Sequence, residues 1–134
     1  MKATKIKAIL ITMATVLISP EAFGAGKAQI EVTGKPQADK RIEFTFKTHP
    51  VGDLVINKEG PWKLEIISSG KIKFEKTEYK RTEWKEDVSG FTVLGSATKG
   101  KSETIKYKLV AFVCTKDKSQ CFREVVEGSS KVSW

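Results

Sequence analysis

The chain has 134 residues and carries 24 Lys and Arg against 16 Asp and Glu, a formal net charge of +8. It contains a single His, two Cys and no glycine-rich phosphate loop. One His, with no carboxylate pair at a recognisable spacing, gives acid–base catalysis no candidate and excludes a recognisable hydrolase or transferase constellation.

The first two dozen residues read as a secretory signal peptide. Lys2, Lys5 and Lys7 form a positive n-region, and Ala8 to Ser19 is an uncharged, largely apolar run of h-region length. The following PEAFGAG breaks a helix and supplies small residues. Ala22 and Gly24 fit the cleavage rule, which places the cut after Gly24. The run is far short of the roughly 20 apolar residues that span a bilayer, so no stable membrane insertion is expected after cleavage. The expected location is periplasmic or secreted. Cleavage removes three Lys and one Glu, which takes the net charge from +8 to +6 over residues 25–134. That length suits one small domain. Nucleic acid is not an expected partner, because Lys outnumbers Arg without aromatic interleaving and the destination lies outside the cytoplasm. The basic surface reads first as a solvated one, with attraction to anionic envelope components as the alternative.

From there on, apolar and polar residues alternate in short runs, the mark of half-buried strands. Ala28, Ile30 and Val32 open the series. Ile42, Phe44 and Phe46 follow, and then the run Asp53 to Ile56. Gly60-Pro61 breaks the chain before Trp62, Leu64 and Ile66. The turn residues Ser68-Ser69-Gly70 precede Ile72 and Phe74. The charged stretch Glu78 to Val88 fits strand, loop or one helical turn. Phe91 to Leu94, Thr104 to Cys114, Cys121 to Val126 and Lys131 to Trp134 complete the set. The expected fold is all-β, an immunoglobulin-like antiparallel β-sandwich of seven to eight short strands, with a small barrel as the alternative. Trp62, Trp84 and Trp134 are read as plugs of its core or edges.

Cys114 and Cys121 flank six polar, turn-prone residues, with apolar strand on either side. This spacing predicts a hairpin closed near its tip. If the two cysteines face each other, every paired position sums to 235. Val110 then faces Val125, and Lys108 faces Glu127. Ile105, Tyr107, Leu109, Ala111 and Val113 share the core face. The cysteines lie on the opposite face with Lys106, Lys108, Val110 and Phe112. The register also sets Glu124 opposite Ala111 on the core face, which argues against it. A disulfide is expected in an oxidising compartment. Two readings of it stand open. It is a structural staple, or it is a redox-active pair whose thiolate is favoured by Lys116, Lys118 and Arg123. Metal binding is not expected, since two Cys and the distant His49 do not complete a tetrahedral site. His49-Pro50 reads as an extended turn element.

An apolar strand, a Cys, a short polar loop, a second Cys and a returning strand resembles the N-terminal immunoglobulin-like (alpha) domain of DsbD-type periplasmic thiol:disulfide interchange proteins. The stretch VINKEGPWKL, Val55 to Leu64, is similar to a segment of related periplasmic domains. The resemblance implies a periplasmic module in which Cys114 and Cys121 relay electrons without a cofactor. Its implied partner is a thioredoxin-like or membrane thiol–disulfide protein. The spacing of the cysteines is one residue wider than the family's, and the aromatic cap loop of the family has no evident counterpart. The alternative is a non-catalytic envelope binding module of the same fold with a structural disulfide.

Overall fold

A computed structural model describes residues 26–97 and 101–134. The predicted signal peptide and its cut lie outside the described residues. Two antiparallel sheets pack face to face as an immunoglobulin-like β-sandwich. Among the described residues ten strands run in chain order: β1 Ala28–Pro36, β2 Arg41–Pro50, β3 Val55–Ile56, β4 Lys63–Ser68, β5 Lys73–Phe74, β6 Glu78–Lys80, β7 Trp84–Lys85, β8 Gly90–Ser96, β9 Ser102–Cys114 and β10 Cys121–Ser133. The first sheet has the order β1-β2-β8-β5, with β7 on the same edge of β8. The second has the order β10-β9-β4-β6, with β3 sharing the β4 side of β9.

Period-two alternation decides which face is buried. Ile42, Phe44 and Phe46 of β2, Phe91 and Val93 of β8, Leu64 and Ile66 of β4, and Ile105 to Val113 at odd positions of β9 turn inward into one contiguous core. Trp62 stacks on Trp84 with ring centroids 4.9 Å apart, and Trp134 meets Phe44 edge-on at 6.1 Å. All three tryptophans therefore plug the core or its border.

Among the described residues the strands outnumber the seven to eight expected, because the charged stretch Glu78–Val88 contributes two short ones, β6 and β7, that alternation does not resolve, whereas β3 and β5 lie within runs the sequence marks. Glu78–Val88 combines all three readings. A short strand leads into a 3-10 turn at Arg81–Glu83, then β7, then a second 3-10 turn at Glu86–Val88. The two predicted C-terminal strands are one. Glu127-Gly128-Ser129-Ser130 looks like a turn in sequence, yet it continues β10, paired residue for residue with Lys108 to Ile105. The physical reason lies across the ladder. A 13-residue β9 offers hydrogen-bond partners along its whole length, and the Tyr107 ring occupies the space that Gly128 leaves open.

Candidate functional site: the cysteine hairpin

The hairpin follows the predicted register. Cys114 pairs with Cys121, Val113 with Phe122, Val110 with Val125 and Lys108 with Glu127, without a slip over 13 pairs. The two sulfurs are bonded, with the Cα atoms 3.9 Å apart. The odd positions of β9 from Ile105 to Val113 are at most 1% exposed and belong to the core. Cys114 has the opposite parity. It is also 1% exposed, yet it stands outside the contiguous core cluster, as does Val110. The disulfide therefore lies on the outer face of the second sheet. Glu124 does sit opposite Ala111, and the objection it raised dissolves because β10 is an edge strand, where Glu124 is half-buried rather than enclosed.

The two sulfurs are not equivalent. Cys121 is exposed on the edge strand, whereas Cys114 is buried between two neighbours. Cys121 flanks it on one side. Val55 of β3, which pairs with Cys114 in the sheet, flanks it on the other. The sequence marks Val55 within the run Asp53 to Ile56 but gives no sign that it lies beside Cys114, since a two-residue pairing carries no register signal. Two positions before Cys114 and on the same face, Phe112 is covered by the loop that joins β3 to β4. Gly60 packs so close that a Cβ there would stand 2.3 Å from the Phe112 ring. That loop is fastened from both directions. The Asn57 N–H donates to the Phe112 carbonyl at 2.9 Å, and the Trp62 Nε1–H donates to the Asn57 carbonyl at 2.8 Å. Gly60-Pro61, visible in the sequence only as a chain break, thus forms a cover on Phe112.

The tip is held by its own polar network. Thr115 N–H donates to the Gln120 carbonyl at 2.9 Å, and Lys118 takes a left-handed conformation with φ 61°. The Asp117 carboxylate accepts from Thr115 Oγ1 at 2.7 Å, Ser119 Oγ at 2.8 Å and Ser119 N–H at 3.0 Å. The Ser119 N–H, followed by the two hydroxyls, holds the Asp117 carboxyl down at about 2. Lys116 and Lys118 lie exposed on this tip, and Arg123 is exposed beside Cys121. Asp53 and Leu54 face Thr115, Lys116 and Asp117 across a shallow cleft of about 420 Å³.

Comparison with family models, with curated proteins and with solved structures gives no match.

What the hairpin can do must then be read from its own geometry. His49 stands in the first sheet, near the end of β2, where its Nε2 lies 2.8 Å from Glu31 Oε1. Among the described residues no group of three or more His, Cys, Asp or Glu is arranged to hold a metal ion. No helix among them is long and apolar enough to cross a membrane. An exposed sulfur bonded to a buried one can accept attack by an outside thiolate at one end only.

Proposed function

We propose that this chain is an exported periplasmic domain that exchanges disulfide for thiols through Cys114 and Cys121, in the manner of the DsbD-type alpha domains it resembles. The observation that carries the reading is the asymmetry of the pair. Cys121 is exposed at a sheet edge among cations, and Cys114 is buried on the outer face. A second observation supports the family likeness. The two stretches on which it rests, Val55–Leu64 and the cysteine hairpin, are neighbours in the fold, joined by the pairing of Val55 with Cys114.

The step is a two-electron exchange. A partner thiolate attacks Cys121 Sγ and forms a mixed disulfide. The Cys114–Cys121 bond breaks, and Cys114 leaves as a thiolate that takes up a proton. The partner's second thiol then loses its proton and attacks the partner's own sulfur, releasing Cys121. The domain ends as a dithiol, and the partner, oxidised by two electrons, ends as a disulfide. The partner class is a thioredoxin-like or membrane-embedded dithiol protein.

The test follows from the asymmetry. In Cys114→Ser the lone Cys121 should form a stable mixed disulfide with a thioredoxin-like protein that lacks its resolving cysteine and carries its remaining one as an activated mixed disulfide with thionitrobenzoate, which leaves as the free thiol. In Cys121→Ser the buried Cys114 should form far less. The wild-type pair should show a reduction potential above about −300 mV, in the range of exchange proteins. A lower potential, with sulfurs inert to such a partner, would refute the proposal. The second reading would then hold, a binding module whose disulfide is a staple. The hydrogen-bonded tip and the burial of Cys114 favour that reading.

A further inference from the structure

The long edge of the second sheet carries a pattern that neither reading of the disulfide uses. β10 pairs with β9 along 13 positions and, among the described residues, with no other strand. Hydrogen bonds at both ends of the hairpin fix which backbone groups are spent. Thr115 N–H donates to the Gln120 carbonyl, and Trp134 N–H donates to the Lys101 carbonyl, each at 2.9 Å. Hydrogen-bonded and non-bonded pairs alternate in an antiparallel ladder. Even-numbered residues of β10 therefore turn their N–H and C=O toward β9. Odd-numbered residues, from Cys121 to Lys131, turn theirs away from β9, where no other strand pairs with them among the described residues, while the Ser133 carbonyl meets β1.

An open strand of this length, without Pro or bulge, is a template for another strand. Such edges are commonly blunted by charged side chains, Pro, bulges or a covering segment. Here the odd positions alternate in sign, with Arg123, Glu127 and Lys131 at intervals of four. None of the three forms an ion pair shorter than 4 Å among the described residues. A strand with that sequence is complementary to itself when run antiparallel.

We propose that the β10 edge pairs with β10 of a second copy of this chain, about a two-fold axis at Val125. In that register Val125 meets its own symmetry mate, and Arg123 of each copy faces Glu127 of the other. Cys121 faces Ser129. Five odd-numbered pairs contribute about ten backbone hydrogen bonds. The register centred on Glu127 opposes like charges and is unfavourable. The register centred on Ser129 would place Val125 against Ser133. The Ser133 carbonyl is already crowded by β1, where a Cβ on Gly34 would stand 3.2 Å from it. The two-fold lies perpendicular to the sheet, so both disulfides stay on the same outer face. Their Cys121 residues stand eight positions apart, roughly 27 Å at about 3.4 Å per residue.

The experiment reads mass in solution by light scattering across a concentration series. The wild-type protein should double in mass as concentration rises. Glu127→Lys makes the edge uniformly cationic and should lose the dimer. The double variant Arg123→Glu/Lys131→Glu makes it uniformly anionic and should also be monomeric. Mixing the two variants should restore a 1:1 dimer of doubled mass, which shows that both are folded. A wild-type monomer at every concentration overturns the proposal, and so does a Glu127→Lys dimer. A monomer whose edge takes up an added strand-forming peptide assigns the edge to a foreign chain and overturns it as well.

Discussion

Tyr107 lies directly across the β9–β10 ladder from Gly128, and its hydroxyl oxygen stands 2.5 Å from the place a Cβ at position 128 would take. Tyr107 is buried, so its ring has little room to withdraw. Gly128→Ala should therefore destabilise the fold by about 1–3 kcal/mol, the usual cost of overpacking. Urea unfolding measures it. Adding Tyr107→Phe should recover part of the loss, because the hydroxyl is the nearest atom. A Gly128→Ala protein as stable as wild type would contradict the packing.

Gly60 tests the cover on Phe112. A Cβ there meets the base of the ring, with Phe112 Cγ, Cδ2 and Cβ all within 2.7 Å. The ring cannot swing aside from its own root. Gly60→Ala should push the loop off the sheet and weaken the bond from Trp62 Nε1 to the Asn57 carbonyl. The expected readout is a lower melting temperature together with red-shifted tryptophan emission. Unchanged emission would mean the loop absorbs the methyl without moving.

Asp117 gives the acid limb of stability a specific source. Its carboxyl titrates at about 2 in the folded hairpin and near 3.9 in an unfolded chain. A depressed folded value means that the ionised carboxylate stabilises the fold above about pH 4, and that this contribution is lost as pH falls toward 2. Asp117→Asn should flatten the dependence of stability on pH between about 4 and 2. The comparison is wild type and variant in urea melts across that range. Identical slopes would show that the tip does not hold the charge.

Removing the disulfide separates staple from scaffold. The bond closes a short loop, for which chain entropy suggests a loss of roughly 2–3 kcal/mol. The ladder holds its register over 13 pairs, far beyond the bond itself. Cys114→Ala/Cys121→Ala should therefore lower the melting temperature while amide exchange along β9 and β10 stays slow. Fast exchange along the whole hairpin would show that the bond dictates the register.

The hairpin was the most legible part of the chain. Two cysteines around a polar six-residue loop fix one pairing sum, and alternation then assigns each side chain a face. The core face of β9 was readable for the same reason. What escaped notice had no local signal. Val55 flanks Cys114 through a pairing of only two residues. Gly60 covers Phe112 across about 50 positions of sequence. The turn-like EGSS stays extended because β9 supplies partners for it and Tyr107 fills the gap at Gly128. Composition around 127–130 favours a turn, and tertiary pairing overrides it.

The hydrogen bonds of Thr115, Asp117 and Ser119 close the hairpin tip without using either sulfur. Cutting the S–S bond would leave that clasp intact, with the two thiols still tethered face to face. Ring closure would then be a local event at high effective concentration, and an outside thiol would compete with a neighbour that never leaves. The tip thus acts as a thermodynamic dial. Loosening it through Asp117 or Ser119 would make the reduced state easier to keep, and tightening it would return the pair to the oxidised form.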